Sequence, residues 1–264
     1  MSLLTLLTDF GTQDTYVGVM KGVVFGICPT VTIVDLTHDV APQDILAGRF
    51  HLQSSYRYFP SNTVHLVVID PGVGSDRRSI AFTTADGIFV GPDNGVLTGI
   101  HDGPILFAVE LDRPQYWRTS NPSSTFHGRD IFASVAGYLC AGVALETLGT
   151  VIESSSLVCL PVLPTVNSEG KQQGLVQSID RFGNLITNLK IDLNSLECWT
   201  VHLLDQTLPI QKNYSKSEIG QLVAIVGSHG FVEISVNCGN TKEHLGIKVG
   251  DRITLNLALL DFPQ

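Results

Sequence analysis

Apolar positions in the first 140 residues fall into two alternating periods. Leu3–Leu7 is a short apolar run, interrupted by Thr5 and closed by Asp9, the pattern of a buried strand. Val17, Met20, Val24 and Ile27 then recur at spacings of three and four, which predicts one helical face, stopped by Cys28-Pro29. Val31–Leu36 is β-branched and predicts a second strand. Pro42 suits a first helical turn, followed by Leu46/Phe50 and Leu52/Tyr56 four apart. Val64–Ile69 predicts a third buried strand, and Asp130–Cys140 a further helix. Such alternation implies βαβ units.

The pattern changes after Leu160. Two prolines and a polar end mark residues 161–172 as a linker. Beyond it, Gly174–Ile179, Leu185–Leu189, Val201–Leu204, Leu222–Val226, Phe231–Val236 and Ile253–Leu257 are short runs separated by turn signals, with no strong helical period. The predicted architecture is an α/β N-terminal domain with a mainly parallel sheet (1–160), the linker, and a smaller all-β, barrel-like domain (173–264).

Composition narrows the function classes. Of 264 residues, 44% are hydrophobic and 16% charged, which suits a packed core. The net charge of −9, without a basic stripe, argues against nucleic acid as the main partner. No apolar run approaches the roughly 20 residues of a membrane span, and the N-terminus has no basic region of a signal peptide. Five widely spaced cysteines without a CxxC pair fit neither a disulfide framework nor a zinc site, so a cytoplasmic location is expected.

Candidate chemistry gathers just after the strands. Thr8-Asp9-Phe10-Gly11, Asp35-Leu36-Thr37-His38 and Asp70-Pro71-Gly72-Val73-Gly74 each follow an apolar run, where open α/β sheets border their ligand crevice. Turn chemistry explains any one of them, but Asp9 and Asp70 together point to a site. The glycines after Asp70 lack the GKS/T ending of a phosphate loop. Of Arg77 and Arg78, one is expected to reach back beside Asp70. His127 can serve as a base or positioned donor, and Asp130 as a helix N-cap or first-turn carboxylate. The eight histidines show no HExxH or similar metal spacing. Asp180–Asn184 and Ser228-His229-Gly230 carry turn chemistry between strands. The residues alone thus give an α/β enzyme domain joined to a β domain, with a ligand in a cleft.

Six stretches in order carry a resemblance: Leu7–Gly11, Val34–His38, Val68–Gly74, Val90–Gly95, Thr125–Asp130 and Ile179–Asn184. Together they resemble the S-adenosyl-L-methionine (SAM) hydroxide adenosyltransferases, relatives of the bacterial fluorinase and chlorinase. The resemblance implies a homotrimer, with SAM between the N-terminal domain of one subunit and the C-terminal domain of its neighbour. It implies a catalytic Asp70–Arg77–His127 set and a ribose-diol contact at Asp9. It further implies methionine contacts at Asp14, Asp180 and Ser228 and an adenine contact at Asn184. SAM is then substrate, with no cofactor and no metal. The halogenases have serine at Gly128, tyrosine at Asp70, and an insertion absent from Phe82–Ile88. An anionic Asp70 is expected to repel a halide. His229 stands where the fluorinase has arginine, which leaves the methionine-carboxylate contact open. The implied reaction is hydrolysis of SAM to adenosine and L-methionine by in-line attack of water at C5′. A 5′-halogenase, a non-catalytic SAM or adenosine sensor and a metal-dependent phosphoesterase are the rival readings.

Overall fold

The computed structural model describes residues 2–98, 103–160, 165–166 and 171–257. The chain forms two compact units, Met1–Leu160 and Pro161–Gln264.

The first unit contains β1 (Leu3–Thr8), α1 (Tyr16–Ile27), β2 (Thr32–Thr37), α2 (Ile45–Ser55), β3 (Val64–Val68), β4 (Ser79–Thr83), β5 (Ile88–Pro92), β6 (Phe107–Glu110), α3 (Ala133–Cys140) and β7 (Thr150–Val151). They build a seven-stranded sheet of order β2-β1-β3-β5-β4-β6-β7. The pairings β1–β2, β1–β3 and β3–β5 are parallel, whereas β4–β5, β4–β6 and β6–β7 are antiparallel. The sheet is therefore mixed, with the parallel half formed by the strands that the apolar runs predict together with β5.

Strand parity explains the core. Leu4, Leu6, Val64, Leu66 and Val68 pack with Val17, Met20 and Val24 of α1 and Val135 and Leu139 of α3. Leu7 and Val67 pack with Ala47 and Leu52 of α2 and with Tyr56. Central strands covered on both faces need apolar residues on both, which is why β3 reads as a continuous run.

Two helix starts differ from the sequence expectation. The helix expected at Pro42 begins at Ile45, because the Asp44 carboxylate accepts the Ala47 amide at 3.0 Å and caps it. The helix expected at Asp130 is preceded by a π-helical turn, Gly128–Phe132, that runs into α3. Asp130 is fully buried as the first-turn carboxylate, one of its two expected roles, and is not the N-cap.

The second unit contains β8 (Thr165–Val166), β9 (Gln172–Ile179), β10 (Leu185–Thr187), β11 (Trp199–Leu203), β12 (Gln206–Gln211), β13 (Leu222–Val226), β14 (Val232–Val236), the short helix α4 (Thr241–Leu245) and β15 (Arg252–Leu257). The order β10-β14-β13-β12-β11-β15-β9, with β9 also paired to β10, closes a seven-stranded barrel. Val201 and Leu203, Val232 and Ile234, and Ile253 and Leu255 alternate into its core. Of the expected linker, residues 165–166 pair with β9 as β8; residues 161–164 and 167–170 lie outside the described residues.

Candidate active site

The parallel strands of the first unit deliver the candidate residues at their carboxyl ends. Asp9 directly follows β1, and Asp70 follows β3 by two residues. Arg77 leads into β4 and folds back on Asp70. Its Nε donates to Oδ1 at 2.8 Å and its Nη2 to Oδ2 at 2.5 Å, a bidentate pair. Its Nη1 donates to the Ser79 hydroxyl at 2.9 Å and the Arg78 carbonyl at 3.2 Å. Nη2 also approaches Nδ1 of His127 at 2.9 Å. These contacts engage all five guanidinium N–H groups, and the guanidinium also stacks over the Phe132 ring.

A guanidinium has no lone pair to offer, so Nδ1 of His127 must be the acceptor. The imidazole is then the neutral tautomer with its proton on Nε2. Its pKa agrees in direction: burial lowers it below the ordinary imidazole value, and the Arg77 charge lowers it further.

The loop carrying His127 is fixed from both sides. Gly74 adopts φ +77°, and a Cβ there would lie 2.3 Å from the Ser124 carbonyl oxygen, so only glycine lets the Asp70 loop pass so closely. The rings of Phe10, Tyr16 and Phe126 form a triangle with centroids 5.2–5.8 Å apart, joining the Asp9 loop to the residue before His127. Asp130 anchors the turn. It accepts from Arg118 Nε at 2.5 Å, Arg129 Nε at 2.7 Å and the Ser123 amide at 2.9 Å. Burial alone would raise its pKa, but these donors hold it well below the usual carboxylate range.

Asp9 and Asp14 line one cleft of about 360 Å³, with Gly11, His38 and Ala41 among its other walls. The Asp9 Oδ2 accepts the Gln43 amide at 2.7 Å, which orients the carboxylate and leaves Oδ1 for a ligand.

In the second unit, Asp180 and Asn184 share the turn between β9 and β10. Asp180 Oδ1 accepts the Phe182 and Asn184 amides, each at 2.9 Å. Its Oδ2 accepts from Asn184 Nδ2 at 2.9 Å, which fixes the amide orientation and leaves Oδ1 of Asn184 as an acceptor. Asn184, Phe182 and Tyr214 line a cavity of about 500 Å³ with Asn237, Cys238 and Gly239. Ser228 is exposed in a separate turn. Its neighbour His229 turns inward: Nδ1 accepts the Phe231 amide at 3.2 Å, so the proton on Nε2 faces Glu233 Oε2 at 3.2 Å. Glu233 is buried and also accepts from the hydroxyls of Tyr214 and Ser235. Among the described residues, no three His, Cys, Asp or Glu converge as metal ligands.

Residues 4–149 match the family model of the SAM hydroxide adenosyltransferase N-terminal domain, and residues 174–254 that of its C-terminal domain. The chain belongs to this family. It is 38% identical over 255 residues to the (R)-S-adenosyl-L-methionine hydrolase of Salinispora tropica, covering 95% of this chain and 96% of that one. It is 36% identical over 258 residues to the enzyme of the same name from Thermus thermophilus, covering 94% and 97%. A fluorinase from Actinoplanes is more distant, at 27% over 292 residues, covering 97% and 98%. A crystal structure of a conserved Thermotoga maritima protein superposes with a TM-score of 0.87 at 36% identity, covering 96% of this chain and 99% of that one.

One expectation needs adjustment. The repulsion of a halide by Asp70 is largely offset, because Arg77 neutralises that carboxylate through two hydrogen bonds. Sequence spacing gave no sign of Ser79, Tyr214 or Glu233, whose roles arise only from contacts made in the folded chain.

Proposed function

We propose that this adenosyltransferase hydrolyses SAM to adenosine and L-methionine, with Asp70, Arg77 and His127 as its catalytic set. The observation that carries the reading is the complete hydrogen-bonded chain from Asp70 through Arg77 to the neutral His127. The names of the relatives support the same reaction.

The leaving group is a neutral thioether and needs no general acid. Catalysis is therefore a matter of holding a water in line with the C5′–S bond, for which orientation can supply several of the roughly 7–11 kcal/mol available to such effects. Nε2–H of His127 donates to the water oxygen and directs its lone pair at C5′. Each Asp70 oxygen keeps a lone pair beyond its contact with Arg77, and one of them receives the water's proton. As the C–O bond forms, the C5′–S pair returns to sulfur and the attacking oxygen becomes a strongly acidic oxonium, so even a weakly basic carboxylate suffices. With its five N–H groups engaged, Arg77 acts through its field and by positioning its two partners, without donating to the reacting oxygen.

Asp9 would accept two hydrogen bonds from the ribose diol, and Asp14 would meet the methionine ammonium. Asn184 would read the adenine edge, with Asp180 and Ser228 on the methionine side; the self-contained Asp180 turn supports a shaping role for Asp180. The assembly would be a homotrimer in which the second unit of one copy serves the first unit of its neighbour. No described helix is long and apolar enough to cross a membrane, and we assign the protein to the cytoplasm. The chemistry uses SAM as substrate without cofactor or metal.

The test is incubation of SAM with the protein and EDTA in ¹⁸O-labelled water. Adenosine labelled at its 5′ oxygen, with methionine, supports the reading. Intact SAM beside demonstrable binding would sink it in favour of a sensor, and product formed only on adding chloride would favour a halogenase. Mixing Asp9→Ala and Asn184→Ala subunits tests the trimer: recovered activity is expected only when sites are shared between copies.

A further inference from the structure

The Asp35-Leu36-Thr37-His38 segment has no part in the scheme above, yet it meets the Asp9 loop at two points. His38 is buried, and its Nδ1 lies 2.8 Å from the Thr8 hydroxyl. The Thr8 oxygen in turn accepts the Phe10 amide at 3.3 Å. The His38 carbonyl accepts the Gly11 amide at 2.8 Å. Residues 8, 10 and 11 therefore bracket Asp9 with contacts that lead to one histidine. On its far side, Nε2 of His38 lies 3.1 Å from Asp35 Oδ1, and Lys21 Nζ donates to Asp35 Oδ2 at 2.6 Å.

The charges favour one direction for this chain. A carboxylate at ion-pair distance from Nε2, though not in hydrogen-bond geometry, favours a proton there, which leaves Nδ1 to accept the Thr8 O–H. Thr8 can then offer its lone pairs to Phe10. Thr8 is fully buried, so its hydroxyl is no nucleophile, although the Asp–His–Thr order resembles a catalytic triad. A hydroxyl and an imidazole sealed from solvent must satisfy each other or stay unpaired, and that gives the loop one strongly favoured geometry.

We propose that His38, oriented by Asp35, is a positioning residue that sets the Asp9 carboxylate for the ribose diol of the substrate. It acts through Thr8 and the Phe10 and Gly11 amides without touching the reacting atoms. The proposal rests on the reading of Asp9 as the diol contact, and the experiment separates the two.

The experiment measures kcat and KM for SAM in His38→Gln and His38→Asn, each alone and combined with Asp9→Ala. Asparagine keeps a polar atom near the Nδ1 position and so the Thr8 contact. Glutamine reaches toward Asp35 and loses it. His38→Gln is expected to raise KM about tenfold with kcat within about twofold, and His38→Asn to recover most of that loss. In the Asp9→Ala background, His38→Gln should add less than about twofold, because the group it positions is gone. Equal losses in both His38 variants, a fall in kcat at unchanged KM, or a full tenfold effect persisting without Asp9 would each overturn the positioning role while leaving the Asp9 contact intact. Unchanged KM in Asp9→Ala alone would overturn both.

Discussion

Arg77 donates to His127 across 2.9 Å while chelating Asp70, so one guanidinium fixes both the tautomer of His127 and the orientation of the Asp70 carboxylate. Fifty positions separate the two residues in sequence. The consequence is chemical: an imidazole that accepts at Nδ1 has only an N–H to present at Nε2, so His127 orients the water and Asp70 takes the proton.

The activity should then follow the neutral form of His127. Its pKa is lowered by burial and by Arg77, so the neutral form prevails above a midpoint below the ordinary imidazole value. We expect kcat to be level through neutral pH and to fall as pH drops through that midpoint, where protonation at Nδ1 would set two cations against each other. His127→Ala should lower kcat by about 10²-fold or more with SAM affinity retained. A pH–rate profile of kcat together with equilibrium SAM binding checks both points, and a midpoint above the ordinary value would contradict the tautomer assignment.

Arg77→Lys should be far from conservative. A lysine ammonium cannot form a bidentate pair with Asp70 while donating to His127 and Ser79. We expect kcat to fall by about 10²-fold, and the midpoint of the pH–rate profile to change little because a positive charge remains. Arg77→Met should in addition shift that midpoint upward, since burial is then opposed only by the attraction of Asp70 and Asp130. Titrating the three proteins side by side distinguishes lost geometry from lost charge.

The legible part of the molecule is the part governed by local pattern. The continuous run of β3 and the three-four spacing of α1 follow from burial on two faces and on one, and both are visible in the sequence. That an arginine returns to Asp70 is legible in the Arg77-Arg78 pair, but only the family resemblance singles out Arg77, which pairs with Asp70 across a seven-residue return. Pro42 misled because the Asp44 cap lies two residues on, with Gln43 between them at φ +68°. The strand β12 escaped notice because Pro209 interrupts its apolar pattern, although the turn at Leu204-Asp205 joins it to β11 as an antiparallel hairpin. Asp130 is legible as a first-turn carboxylate, but its partner Arg118 lies twelve positions earlier in a loop with no periodicity to mark it.

Asp130 yields a prediction on stability. Replacing it with asparagine keeps the shape but leaves two arginines and the Ser123 amide with a neutral, half-matched acceptor. Breaking a fully buried pair costs about 3–5 kcal/mol. Both arginine side chains retain solvent contact, at 44% and 29% exposure, so we expect a smaller loss of about 2 kcal/mol. Urea denaturation should show a lower midpoint at unchanged slope. Activity should fall more than stability alone explains, because the π-helical turn next to His127 loses its anchor.

His65 makes stability depend on pH in mildly acidic solution. It is fully buried in β3, stacked on Phe89 with ring centroids 5.0 Å apart, and paired with the Thr5 hydroxyl at 2.8 Å. Burial pushes its pKa down from 6.5 to about 4. Between those values the unfolded chain binds a proton that the folded chain refuses, so the contribution is complete above the unfolded pKa and is lost as pH falls toward the folded one. From this residue alone we expect a loss of about 1 kcal/mol between pH 6.5 and about 5.5. His51 and His127 are lowered in the same direction and steepen the total. His65→Asn, which can still accept from Thr5, should unfold more easily at every pH but with a shallower dependence across this window. Urea midpoints at a series of pH values measure that slope, and an unchanged slope in the variant would show that the buried imidazole is not the group responsible.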